Sequence, residues 1–140
     1  MMKKTNPIPD EYSVGICCDA SHLTKAKVTE HRGVITATGE ELWRESVKYS
    51  SVNVGEYLGR VRALQWVIEN NPPERIIWCD SQTAISWLNE KRSASSIKLP
   101  EMTMADIWLQ IFEAEYRDIE VRHWSKKKIG IENPADFQRK

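Results

Sequence analysis

Four carboxylates mark the boundaries of structural elements in this 140-residue chain: Asp19 in ICCDAS, Glu56 in SVNVGEYL, Asp80 in IIWCDSQTAISWL and Asp136 in IENPADF. Asp19 and Asp80 end short apolar runs that read as β-strands. Glu56 opens a long helical pattern, and Asp136 follows a loop near the C-terminus. Acids brought to one end of a sheet by separate elements repel one another unless a cation holds them. Such oxygen-only donors suit Mg²⁺, with Mn²⁺ as the other candidate. Two ions about 3.5–4 Å apart clamp the attacking and leaving oxygens of a phosphodiester. Each acid alone also has a plain structural role. Asp80 and Asp136 could serve helix N-termini, Asp19 an Asx-turn, and Glu56 the first turn of its helix.

Apolar patterning supplies the elements that must position these acids. YSVGICCD, residues 12–19, reads as a strand that is apolar on both faces, as a central strand would be. A second strand lies within Val28–Ala37, and the turn TGEE leads to a third over Leu42–Tyr49, making an antiparallel meander. Val54, Tyr57, Leu58, Val61, Leu64 and Ile68 then follow the i, i+3, i+4, i+7 spacing of an amphipathic helix. Ser51 or Asn53 caps its start, and Asn70-Asn71-Pro72-Pro73 ends it. Glu56 falls beside the apolar stripe on the side of Gly59, Arg60 and Ala63, whose small members allow close approach to a sheet while Glu56 looks past its edge.

Arg75–Cys79 reads as the fourth strand, followed by a short helix from Asp80 to Leu88 and a loop over Ser93–Lys98. Pro100 opens a helix running to about Tyr116, with Met104, Ile107, Trp108, Ile111 and Phe112 expected to face the core. Ile119–Trp124 alternates as a fifth strand, and Asn133-Pro134-Ala135-Asp136 reads as the cap and first turn of a terminal helix. The order βββαβαβα predicts an α/β fold. Its five-stranded mixed sheet is an antiparallel meander followed by parallel strands, flanked by helices.

Size and composition set the outer limits. The expectation is a mobile lead-in over residues 1–11, where Pro7 and Pro9 discourage regular structure, and one domain over residues 12–140. No apolar run approaches the ~20 residues that cross a bilayer, and the basic start MMKK has no apolar stretch behind it. A cytoplasmic monomer without membrane contact is expected. Cys17, Cys18 and Cys79 lie inside apolar runs, which favours buried free thiols. Twenty basic and twenty acidic residues cancel, yet the chain beyond Arg117 is locally basic. Lys126, Lys127 and Lys128 fall between the fifth strand and Asp136, where they would overhang the acids and hold phosphate as fixed charges. A solvated surface loop is the plainer reading of the same run. His22, His31 and His123 are scattered and suit surface or core roles.

From Tyr12 onward the chain resembles type 1 ribonuclease H. The resemblance rests on the Asp ending strand one, on Asn53-x-x-Glu56, and on Asp80-Ser81-Gln82. RGVITATGEELW and the terminal PADFQRK are similar to the viroplasmin-like bacterial branch. The resemblance implies an endoribonuclease that cuts the RNA strand of RNA–DNA hybrids by two-metal catalysis, with Asp19, Glu56, Asp80 and Asp136 as metal ligands. It also implies contacts from Asn53 and Gln82 to the hybrid's minor groove, with Ser81 beside them, from Ser51 to a DNA phosphate, and from Trp87 to the DNA sugars. The chain departs from the family in four places. Ala20 replaces the usual Gly, Val52 replaces one of two asparagines, SKKKIGIEN lacks the usual loop His, and SASSIKLPE is too short for the basic helical handle some members use. Two rival readings are a resolvase- or transposase-like nuclease of the same superfamily and a non-catalytic hybrid-binding module.

Overall fold

The computed structural model describes residues 8–48, 50–80, 86 and 99–137. Its sheet has five strands: β1 (Ile16–Leu23), β2 (Val28–Ile35), β3 (Glu41–Lys48), β4 (Ile76–Cys79) and β5 (Glu120–His123). They are arranged β3-β2-β1-β4-β5. The β1–β2 and β2–β3 pairs are antiparallel, while β1–β4 and β4–β5 are parallel. The predicted mixed sheet is therefore present. Among the described residues the helices are α1 (Val52–Asn70), α2 (Pro100–Ile111), and two single turns, α3 (Glu113–Tyr116) and α4 (Lys126–Ile129). No described helix is long and apolar enough to cross a membrane. The helix expected from Asp80 to Leu88 and the loop after it fall outside the described residues, apart from Asp80 and residue 86.

The first strand is shifted from its expected place. It starts at Ile16 because Gly15, at φ +69°, bends the chain; a Cβ there would fall 2.2 Å from the Ile76 carbonyl oxygen. The strand continues through Ser21 and His22, paired with β2 up to Leu23 opposite Val28. Asp19 therefore does not end the strand. It sits in mid-strand opposite Arg32, because hairpin pairing with β2 carries the strand past the end of the apolar run.

Two cores flank the sheet. Ile16, Cys18, Ile77 and Cys79 meet Val54, Tyr57, Leu64 and Leu109 on the helical side. Cys17, Val34 and Trp78 meet Trp124 and Ala135 on the other. Ile8, in the expected lead-in, packs on the second core beside Tyr12, whose ring lies edge-on to Trp78 and Trp124. All three cysteines are free and buried.

Helix α1 carries the expected stripe and comes close to the sheet. A Cβ at Gly55 would fall 2.3 Å from Thr29 Cγ2, and one at Gly59 3.1 Å from His31 Cβ. Helix α2 is rotated from its expected setting. Met102, Ala105 and Leu109 are buried, whereas Met104, Ile107, Ile111 and Phe112 are exposed. The helix is apolar on more than one face, so periodicity could not choose the buried one. The small Ala105 and the Tyr57 Oη hydrogen bond to Asp106 Oδ1 (2.5 Å) set the rotation against α1. The helix also breaks at Phe112, short of Tyr116. Among the described residues Asn133–Phe137 form a turn at Pro134–Ala135 and no helix, and residues 138–140 lie outside the described residues. Asn133 Oδ1 accepts from Ala135 N (2.7 Å), an Asx-type turn that competes with helix.

Candidate active site

The sheet opens where β1 and β4 part. These parallel strands pair at Ile16–Ile77 and Cys17–Trp78, after which β4 ends at Cys79 while β1 runs on beside β2. Asp19 on β1 and Asp80 just past β4 thus flank a crevice at the carboxyl end of β4, the end at which α/β sheets bind ligands. Glu56 enters from the first turns of α1. Ser51 Oγ caps that helix by accepting from Val54 N (3.3 Å), and Gly55 lets it settle beside Ala20 and Thr29. The Ala20 methyl occupies space that the bare Gly55 leaves, with 3.2 Å between Ala20 Cβ and a Cβ built on Gly55.

Asp136 is held by its backbone. Arg32, directly opposite Asp19, donates from Nε to the Ala135 carbonyl (2.8 Å) and from Nη2 to the Asp136 carbonyl (2.7 Å). Arg32 and Arg44 each lie 5.1 Å from the Phe137 ring centre, and Glu41 accepts from both guanidiniums. Asn133, buried at 3 % exposure, completes the frame. Its Nδ2 donates to Asp80 Oδ1 (3.0 Å) and to the Cys18 carbonyl (3.3 Å).

The four acids share one electrostatic environment. Burial first, then Glu56, Asp80 and Asp136, pushes Asp19 up to about 9, against a hydrogen bond from the Ala20 backbone. Burial also pushes Glu56 up to about 7, aided by Asp80 and opposed by Arg60, by hydrogen bonding with Asp19 and by the Ala20 N–H. Asp80 lies at the exposed rim. Partial burial of its carboxyl raises it, the Asn133 bond opposes this, Asp136 and Glu132 raise it further, and His123 draws it down. Among the described residues, no three His, Cys, Asp or Glu side chains are grouped tightly enough to ligate one ion as they stand. Mutual repulsion marks the cluster. As a donor set it offers only hard carboxylate oxygens, the chemistry Mg²⁺ prefers.

The other candidates are placed less tightly. Asn53 is exposed, one turn before Glu56 on the same helix side. Ser51 is half-buried as the helix cap. The basic run is a single helical turn capped by Ser125, with Lys126, Lys127 and Lys128 exposed and Lys126 paired to Glu132 at 3.0 Å. Ser81, Gln82 and Trp87 fall outside the described residues. Sequence reasoning missed Arg32 and Asn133 as parts of the frame. Arg32 can be found only from the β1–β2 register, and Asn133, which reads as a helix cap, uses its side chain to join β1 and Asp80 to its own turn.

No protein-family model matches the chain. Among solved structures it is similar to LC11-RNase H1, isolated from compost by a metagenomic approach. The TM-score is 0.57 at 17% identity, over 85% of this chain and 89% of that one. It is also similar to the N-terminal RNase H domain of rv2228c from Mycobacterium tuberculosis, solved as a fusion with maltose binding protein (TM-score 0.54, 14% identity, 84% and 87% covered). A third similar structure is LC11-RNase H1 in complex with an RNA/DNA hybrid (TM-score 0.54, 18% identity, 81% and 86% covered). The chain has the RNase H fold.

Proposed function

We propose that this chain is a type 1 ribonuclease H, an endoribonuclease that hydrolyses the RNA strand of RNA–DNA hybrids and leaves 5′-phosphate and 3′-hydroxyl ends. The observation that carries this reading is the approach of acids from four separate segments to the crevice where β1 and β4 part: Asp19 on β1, Glu56 on α1, Asp80 past β4 and the Asp136 segment tied to Arg32. An RNA/DNA hybrid is the ligand of one protein of similar fold, and a hybrid is the substrate assigned here. The viroplasmin-like branch rests on sequence resemblance alone.

Asp19, Glu56, Asp80 and Asp136 would hold two Mg²⁺ ions. When bound, the ions supply an activated water and neutralise charge at the cleaved phosphodiester. The chain's own residues do the rest. Asn133 and Arg32 keep Asp80 and the Asp136 segment beside β1. Asn53, uncharged and able both to donate and to accept, meets 2′-hydroxyls and minor-groove edges. Gln82 and Ser81 extend that contact, Ser51 reaches a DNA phosphate with its remaining O–H, and Trp87 supports DNA sugars. Lys127 and Lys128, exposed on α4, attract backbone phosphate.

Labelled RNA–DNA hybrid, double-stranded RNA and double-stranded DNA, each incubated with the protein in Mg²⁺ or in chelator, test the proposal. Cutting of the hybrid's RNA strand in Mg²⁺ alone is the expected result. Equal cutting of double-stranded DNA points to a resolvase-like enzyme, and binding without cutting to a hybrid-binding module.

A further inference from the structure

Arg60 is a charged side chain inside the protein. It lies one helical turn after Glu56 on α1 and is 0% exposed. Nε, Nη1 and Nη2 are all buried, with no hydrogen-bond partner among the described residues. A guanidinium carries five N–H donors and stays protonated. Leaving one unhydrated and unbonded is among the costlier things a core can do. Something nearby must offset the charge. Cys18, on the adjacent face of β1, is drawn down by the guanidinium, but hydrogen bonding with Cys79 and then burial push that thiol well up and keep it neutral. Glu56, one turn back on α1, is the acid whose charged form Arg60 favours, with no direct guanidinium–carboxylate bond between them. Glu preceding Arg by four residues is the favourable order on a helix, and burial leaves the attraction poorly screened.

We infer that Arg60 is a built-in counter-charge of the acid cluster. It is a positioning residue that holds Glu56 from the core side and offsets part of the repulsion among Asp19, Glu56, Asp80 and Asp136, leaving the crevice side free for cations. The inference rests on the proposed role of those acids and adds a fixed fifth charge to them. It also accounts for a long polar residue at a position where an apolar one would fill the same space between helix and sheet.

The sign of one substitution separates this role from simple filling. Exchanging a buried, unpaired charge for an apolar group of similar size normally stabilises a protein. Arg60→Met should instead lower the metal-free melting temperature, by about 3 °C or more, and Mg²⁺ should then raise it by more than in the native protein. Arg60→Lys, which keeps the charge, should preserve the native Mg²⁺ response. In a Glu56→Gln background the order should invert, with E56Q/R60M melting at or above E56Q, because the counter-charge has lost its anion. A metal-free R60M protein as stable as the native one, or an R60M effect equal in both backgrounds, overturns the inference. If R60M yields no folded protein, E56Q/R60M must still fold; failure of both also overturns it. A native protein with no Mg²⁺ shift would instead defeat the metal site, while the Glu56–Arg60 comparison in chelator still reports on the counter-charge.

Discussion

Replacing Asn133 with alanine removes three hydrogen bonds at once and should loosen two of the four acids. The Cys18 carbonyl and the Ala135 N–H are neutral partners, each bond being worth about 1 kcal/mol net, and the bond to the Asp80 carboxylate is worth about 2 kcal/mol. Water can reach Asp80 at the exposed rim but not the buried Cys18 and Ala135. The net loss should therefore be about 3 kcal/mol, or roughly 9 °C in melting temperature. Asp136 should suffer more than stability does, because its N–H bonds to the Asn133 carbonyl (2.9 Å) and its turn starts at the Asn133 side chain. Hybrid cleavage measured well below the melting point should fall roughly 10–100-fold, as small misplacements of reacting groups do. Asn133→Asp keeps the acceptor for Ala135 but sets a second carboxylate on Asp80, so its loss should grow with pH. Urea unfolding within about 0.5 kcal/mol of native for N133A, together with native cleavage, would refute the bridging role.

Other outcomes follow from the same geometry. His31 is buried beside Trp43, whose indole Nε1 donates to His31 Nδ1 (3.2 Å), and burial depresses its pKa to about 4. The unfolded chain takes up that proton first, so stability is lost as pH falls from about 6.5 to about 4, by on the order of 3 kcal/mol; native and His31→Gln proteins with parallel urea midpoints across that window would contradict this. Gly55→Ala places a methyl 2.3 Å from Thr29 Cγ2 and should cost about 1–3 kcal/mol by thermal unfolding, with a normal melt refuting the close approach. Changing Lys126, Lys127 and Lys128 to Ala should make the salt dependence of hybrid binding shallower. The slope should fall by about two, since Lys126 is paired with Glu132, and an unchanged salt series would leave the run a solvated turn. Asn53→Ala should weaken hybrid cleavage while Mg²⁺ binding, followed by calorimetry, stays native.

Much of the fold could be read from periodicity. The β2, β3, β4 and β5 strands and α1 lie within a residue or two of their expected bounds, because each has a strong apolar pattern and a turn or cap at its ends. What escaped depends on partners distant in sequence. Asp19 looked like a strand end because apolar residues stop there, whereas hydrogen bonding to β2 continues to Leu23. The buried face of α2 could not be chosen because Met102, Ala105 and Leu109 compete with an equally apolar set that faces solvent. Asn133-Pro134 has the look of a helix start, yet the amide spends its hydrogen bonds on Asp80 and β1. Arg60 shares the sheet-facing side of Glu56, Gly59 and Ala63 in the sequence pattern, yet nothing in its spacing shows that its guanidinium is fully buried. The four acids could be proposed from the sequence; the side chains and backbone bonds around them, such as Arg32 on the Asp136 carbonyl and Asn133 on Asp80, could not.

The claim that these acids form a cation site makes an unusual demand on Asp19→Asn. Burial and the charges of Glu56, Asp80 and Asp136 push Asp19 up to about 9, so at pH 8 the folded metal-free protein must hold it protonated at a cost the unfolded chain does not carry. A neutral Asn there should raise the metal-free melting temperature while abolishing both the Mg²⁺-induced shift and hybrid cleavage. Thermal unfolding of native and D19N proteins, in chelator and in Mg²⁺, with hybrid cleavage measured on the same samples, reads all three. A D19N protein that is less stable without metal, or that keeps the native Mg²⁺ shift and cleavage, would contradict the account.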